Sequence, residues 1–282
     1  ADVLILEVGL GGSYDATNVI DQPALSVITP IDFDHKAFLG SDIRKIAGEK
    51  AGIIKSGRPA LTAIQRKICD DVIAKRAEDV GAPLYRLKAH FIDAMPEDLG
   101  LLGEHQRANA ALAAMAVQLF GNSTIIDQNA IFEGARNVVW PARMQRLKDG
   151  PFTALAPNQE IWLDGGHNPH AARAIARQLN NMPGRTALVA AMLASKDATG
   201  YFMPFRQVRP EVFTLPNAPG HQGAEPQALA EAATNAGLKA AACDSLEAAL
   251  KAAAATGVDR ILICGSLYLA GEVLARNGEP PV

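Results

Sequence analysis

Short apolar runs alternate along the chain with segments whose apolar residues recur every three to four positions. The first pattern is that of buried strands and the second that of amphipathic helices. Asp2–Val8 (Asp-Val-Leu-Ile-Leu-Glu-Val) predicts a strand, followed by the glycine-rich loop Gly9–Asp15. A strand this apolar needs neighbours on both sides and cover on both faces. Leu25–Thr29 predicts a second strand and Asp32–Gly40 a charged loop. Ser41, followed by Ile43, Ile46, Ala47, Ile53 and Ile54, predicts a capped helix ending near Lys55–Gly57. Strands are then expected at Ala60–Ala63 and Pro83–Leu87, with helices at Lys67–Val80, Gln106–Phe120 and Gln128–Val138.

The pattern breaks at Trp140-Pro141-Ala142-Arg143, which sets an expected domain boundary: residues 1–139, then 140–282. Beyond it, strands are predicted at Ile161–Leu163, Ala187–Ala191, Val212–Leu215 and Arg260–Cys264. Helices are predicted at Ala171–Leu179, Pro226–Ala236, Leu246–Ala254 and Leu267–Arg276. Strands alternating with helices argue an α/β fold with a mostly parallel, doubly wound sheet. The alanine-rich last hundred residues read as helix filling.

Composition narrows the function classes. The 282 residues are 49% hydrophobic and 20% charged, enough for two domains with sizeable cores. A net charge of −3 and a pI of about 6.1 leave no basic footprint for nucleic acid. No apolar run approaches the ~20 residues of a membrane helix, and no signal peptide is present. Cys69, Cys243 and Cys264 are widely spaced and read as buried thiols of a reducing compartment. The expectation is a cytoplasmic protein acting on small molecules.

The densest chemistry lies in Leu163–His170 (Leu-Asp-Gly-Gly-His-Asn-Pro-His). A strand ends on Asp164, two glycines turn the chain, and a helix opens with Asn168 as cap and Pro169 in its first turn. A helix N-terminus carries partial positive charge and unpaired N–H donors, which suit nucleotide phosphates. In the first half, Glu7 ends a predicted strand beside Gly9-Leu10-Gly11-Gly12, which is not a dinucleotide fingerprint. Asp32, Asp34 and His35 form a second cluster that could share a divalent cation with it, or be a solvated loop. Lys50, on the helix 41–55, is by residue type alone a solvated surface charge. His221, His90 and His105 are ambiguous between loop surface and site, while Trp140 and Trp162 read as packing beside the domain junction.

These blocks resemble the folylpolyglutamate synthase/dihydrofolate synthase family of ATP-dependent Mur-type ligases. The resemblance runs through Glu7–Gly12, Asp15–Asn18, Asp34-His35, Ile46–Ile53, Gly103–Asn109, Pro141–Gln145, Asp164–His170 and Gly265–Val273, in order. It implies a partial P-loop-type central domain followed by a Rossmann-like C-terminal domain. The implied reaction has ATP phosphorylate a pteroate or folate carboxylate, whose acyl phosphate is attacked by the amine of L-glutamate. By resemblance, Glu7 and His35 bind Mg²⁺, and Lys50 is a carbamate beside the metal, with room for a second divalent or monovalent cation. Asn109, Arg143, Asp164 and Asn168 contact ATP, Asp164 on the ribose, and His167 lies near the transferring phosphate. Lys196, in Ser195-Lys196-Asp197, matches a family K-D pair. The resemblance also suggests a monomer. Ser/Thr after a G-x-x-x-x-G-K P-loop is the family's opening motif, and no such segment occurs here. The chain is therefore expected to be an N-terminal truncation, inactive by itself. Gly166 stands where Ala is more usual, and Ala142 where Gly is more usual before Arg143. Two other readings share these residues: a ligase joining an amino acid to a cell-wall precursor, and a non-catalytic relative.

Overall fold

A computed structural model describes residues 1–33, 42–120 and 126–280. They divide into two compact units, residues 1–100 with 105–138, and residues 101–104 with 139–282.

The first unit is built on three parallel strands in the order β1-β2-β3: β1 (Ser26–Ile28), β2 (Ala60–Thr62) and β3 (Leu84–Arg86). Helices α1 (Ile43–Ala51) and α2 (Lys67–Asp79) cover one face, closing a core of Ile28, Ile46, Ala47, Ala51, Ala60, Cys69, Ile73 and Ala77. Helices α3 (Ala89–Asp93), α4 (Glu104–Phe120) and α5 (Gln128–Asn137) follow. Leu61, Ala63, Leu87, Met95, Ala111 and Leu112 form the second core. Helix α1 is capped by Asp42, whose carboxylate accepts from the Arg44 N–H. The cap predicted from sequence, Ser41, lies outside the described residues, as do Asp34 and His35.

The strand expected at Asp2–Val8 does not form. The segment is extended coil, with Leu4 72% and Ile5 88% exposed. Its sequence is a two-faced buried strand, and among the described residues no strand pairs with it. Without ladder partners and cover, apolar alternation alone does not hold a strand. Glu7 is accordingly exposed on an extended segment rather than at a strand end.

The second unit carries a six-stranded sheet in the order β4-β5-β9-β6-β7-β8. Its strands are β4 (Gln145–Arg146), β5 (Glu160–Leu163), β6 (Thr186–Ala190), β7 (Glu211–Thr214), β8 (Lys239–Ala242) and β9 (Arg260–Cys264). All pairs are parallel except β4 with β5. Alternate residues face opposite layers, as a pleated strand requires. Ile161, Leu163, Ala187, Val189, Ile261 and Ile263 join α9 (Leu246–Ala255) and α10 (Leu267–Asn277) in one core. Trp162, Leu188, Ala190, Leu262 and Cys264 join α6 (Pro169–Asn181), α7 (Ala198–Phe202) and α8 (Pro226–Asn235) in the other. On α6 the buried residues are Ala172, Ile175, Ala176 and Leu179, the i, i+3, i+4, i+7 stripe of one helix face. Trp162 is buried, but Trp140 is 57% exposed and packs no core. No helix among the described residues is long and apolar enough to cross a membrane.

The register sets the site. Leu163 and Val189 both pair with Ile263, so β5, β9 and β6 end level. The segments after them, beginning at Asp164, Gly265 and Ala191, lie together at the carboxyl edge, where open α/β sheets bind ligands.

Candidate functional site

At that edge the turn 164–168 is held by its own first residue. Asp164 is 6% exposed, and its two oxygens accept from different backbone N–H groups: Gly166 at 2.7 Å and Met144 at 2.9 Å. Burial pushes its carboxyl pKa up, while the Gly166 and Met144 N–H groups and the Arg143 guanidinium pull it down; the net direction is upward. The Gly165 N–H donates to the Ala142 carbonyl at 2.9 Å. Gly265 then donates its N–H to the Gly166 carbonyl at 3.1 Å, tying the end of β9 to the same turn.

Crowding differs at the two glycines here. A Cβ on Gly265, at φ +95°, would stand 2.5 Å from the Ala191 carbonyl oxygen, a backbone atom that cannot step aside. One on Gly165 would stand 2.2 Å from Leu267 Cδ2, so that side chain would have to move.

Beyond the turn, Asn168 caps α6 as its sequence predicts: Oδ1 accepts from the Ala171 N–H at 2.8 Å, with Pro169 in the first turn. The half-buried His167 places Nδ1 3.0 Å from the Gly165 carbonyl. A carbonyl only accepts, so Nδ1 carries a proton, and Nε2 is the nitrogen whose state changes on protonation.

Arg143 lies on a loop with unusual backbone. Ala142 (φ 55°) and Met144 (φ 42°), on either side of it, are both in the left-handed region that side chains disfavour. That is the physical reason glycine would be easier at position 142. The half-buried Arg143 folds back so that Nη1 donates to the Ala142 carbonyl at 3.2 Å. The Gln145 side-chain oxygen accepts from the Ala142 N–H at 3.0 Å. In the sequence Gln145 stands only as the last member of the Pro141–Gln145 motif, and nothing in its residue type marks the bond to the Ala142 N–H.

The rim is completed by two loops. Ala194 donates to the Gln222 carbonyl (3.1 Å) and Ala224 to the Met192 carbonyl (2.9 Å), joining the segments after β6 and β7. His221, ambiguous in sequence, is exposed and stacks on Tyr268 of α10 with centroids 3.5 Å apart. Lys196 is half-buried in the loop after β6, and Asp197 caps α7 through the Gly200 N–H.

The first unit holds the remaining predicted residues. Lys50 is half-buried in the last turn of α1, and the glycine loop lies on that turn. Ser13 donates its N–H to the Glu49 carbonyl at 2.9 Å, and a Cβ on Gly12 would come within 2.4 Å of the same oxygen. Asp15 organises this loop by accepting from the N–H groups of Gly9, Leu10 and Thr17 and the Thr17 hydroxyl. These bonds, the hydroxyl's foremost, lower its pKa to about 2. Asn109 is exposed on α4 and donates to Gln106 Oε1. Asp32 pairs with Arg66 at 3.1 Å, so it is engaged with protein. His90 is exposed beside Phe91, and His105 half-buried on α4.

The structure thus gathers Arg143, Asp164, His167 and Asn168 at one sheet edge. Of the expected metal ligands, Glu7 is exposed, Lys50 is half-buried and His35 lies outside the described residues; among the described residues no three His, Cys, Asp or Glu side chains stand close enough to hold an ion.

Comparison with known proteins agrees with this geometry. Residues 142–267 match the family model "Mur ligase, glutamate ligase domain". The dihydrofolate synthase/folylpolyglutamate synthase of Bacillus subtilis is 34% identical over 218 residues, covering 70% of this chain and 49% of that protein. The Escherichia coli protein of the same description is 31% identical over 287 residues, 97% of this chain and 64% of its own. A crystal structure of Mycobacterium tuberculosis folylpolyglutamate synthase complexed with ADP and AMPPCP superposes with a TM-score of 0.85. It is 28% identical, covering 98% of this chain and 68% of that one. The chain therefore spans about half the length of the first relative and under two thirds of the second. Sequence and fold together place the chain in the folylpolyglutamate synthase/dihydrofolate synthase family of Mur-type ligases.

Proposed function

We propose that this chain is part of an ATP-dependent ligase that adds L-glutamate to dihydropteroate, to folylpolyglutamates, or to both, through an acyl phosphate. The observation that carries the reading is the convergence of Arg143, His167 and the α6 N-terminus on the edge formed by β5, β9 and β6. The guanidinium and the helix N-terminus supply positive charge for phosphate oxygens. Phosphoryl transfer asks the protein chiefly for such positioning and charge neutralisation. His167 lies near the transferring phosphate in this reading, and Asn109, Asp164 and Asn168 complete the nucleotide contacts. The first unit is read as part of the ATP-binding central domain. The protein is read as cytoplasmic and monomeric, with no nucleic-acid or membrane partner.

Mg²⁺ belongs to the reading as counter-ion of the phosphates, with Glu7, His35 and a carbamylated Lys50 as its ligands and room for a second cation. The described residues do not assemble that set, so no step here is derived through it.

The test is phosphate release by the full-length protein to which this chain belongs, with ATP, Mg²⁺ and glutamate, and with dihydropteroate and tetrahydrofolate supplied separately. Release that needs glutamate and one acceptor supports the ligase and identifies its substrate. Silence with both acceptors, from folded protein that binds ADP, removes it in favour of a cell-wall ligase or a non-catalytic relative.

A further inference from the structure

We infer that Asp164 and Gln145 are positioning residues, which together hold the strained loop 142–144 so that Arg143 is presented to the nucleotide. The inference rests on the reading that Arg143 meets phosphate. Its own observations are backbone ones. Two residues with side chains sit at φ 55° and 42° on either side of Arg143, a conformation that persists only when its surroundings over-determine it. The surroundings do so with three bonds. Gln145 Oε1 takes the Ala142 N–H, the Gly165 N–H takes the Ala142 carbonyl, and Asp164 Oδ2 takes the Met144 N–H. Ala142 and Met144 are both buried, at 4% and 3% exposure, so neither N–H has water as a substitute acceptor.

Asp164 links the two halves of the site. One oxygen holds the loop that carries Arg143 and the other holds the turn that carries His167. Each oxygen is committed to a backbone N–H and the residue is almost wholly buried, so the carboxylate holds both segments in place. Asn at 164 would keep an acceptor for only one of the two N–H groups and set its own NH₂ against the other.

The experiment follows amide hydrogen exchange at Ala142 and Met144 together with ADP affinity by calorimetric titration. Q145A and D164N are expected to speed exchange at both amides about tenfold or more and to weaken ADP binding by a similar factor. Q145E, which retains an acceptor, restores both readouts. A142G removes the strain at one position and is expected to return Q145A most of the way, a gain of roughly five- to tenfold. Rescue by glycine at 142 is something general loss of folding would not show. Unchanged exchange in Q145A and D164N overturns the clamp. Faster exchange with unchanged ADP affinity, while R143A weakens ADP, overturns the positioning role. With all variants made in the full-length protein, no ADP binding by the unaltered protein, or unchanged binding in R143A, overturns the nucleotide reading beneath it.

Discussion

The carboxylates Asp15 and Asp164 act by accepting hydrogen bonds from backbone. Asp15 is the plainest case, since four donors surround its carboxylate and lower its pKa to about 2. The sign follows from a depressed folded pKa. Its stabilisation of the glycine loop is complete above the unfolded value near 3.8 and is lost as pH falls through about 2. Carboxyl-carbon NMR should therefore show Asp15 titrating near 2, with the Gly9 and Leu10 amides losing protection in the same window. A midpoint near 4 would contradict the four-bond arrangement. Asp15 was legible in the sequence only as a motif member, because its donors are set by a loop path that residue types do not specify. Asp164 was legible as a strand-end carboxylate, but its bond to Met144, twenty residues earlier in the chain, was not.

At the scale of elements, α6 shows how local sequence is enough. Asn168 and Pro169 define its start, and the Ala172, Ile175, Ala176, Leu179 stripe defines its buried face. Asn168→Ala should cost about 1 kcal/mol of stability by removing the acceptor for the Ala171 N–H. Denaturant unfolding that shifts by less than a few tenths of a kcal/mol would show that the cap is redundant there. Strand β9, apolar after Arg260 and buried throughout, was read from sequence with its observed bounds. The short edge strands β4 and β8 were not, because Gln145-Arg146 is polar and the alanines of Lys239–Ala242 favour helix over strand, so both are strands only through their neighbours. Asp2–Val8 is the opposite case, having the full pattern of a strand without a partner among the described residues.

At the scale of the molecule, each unit closes its own cores: residues 28–112 supply those of the first and residues 142–274 those of the second. Separate cores unfold as separate cooperative units. Calorimetry is accordingly expected to resolve two transitions, and one transition whose calorimetric and van't Hoff enthalpies agree would refute that independence. Sequence alone determined the α/β alternation and the Asn168 cap and apolar stripe of α6, and it pointed to Asp164–His170 as the densest chemistry. Those features depend on periodicity and on contacts within a few residues, which the order of side chains carries directly. Tertiary structure decided the strand order that seats β9 between β5 and β6, and the backbone crowding that forbids a side chain at Gly265. It also decided the left-handed loop around Arg143 that Gln145 and Asp164 satisfy. Those features join backbone groups remote in the chain or fix dihedral angles against local preference, and only the folded surroundings supply the free energy that holds them.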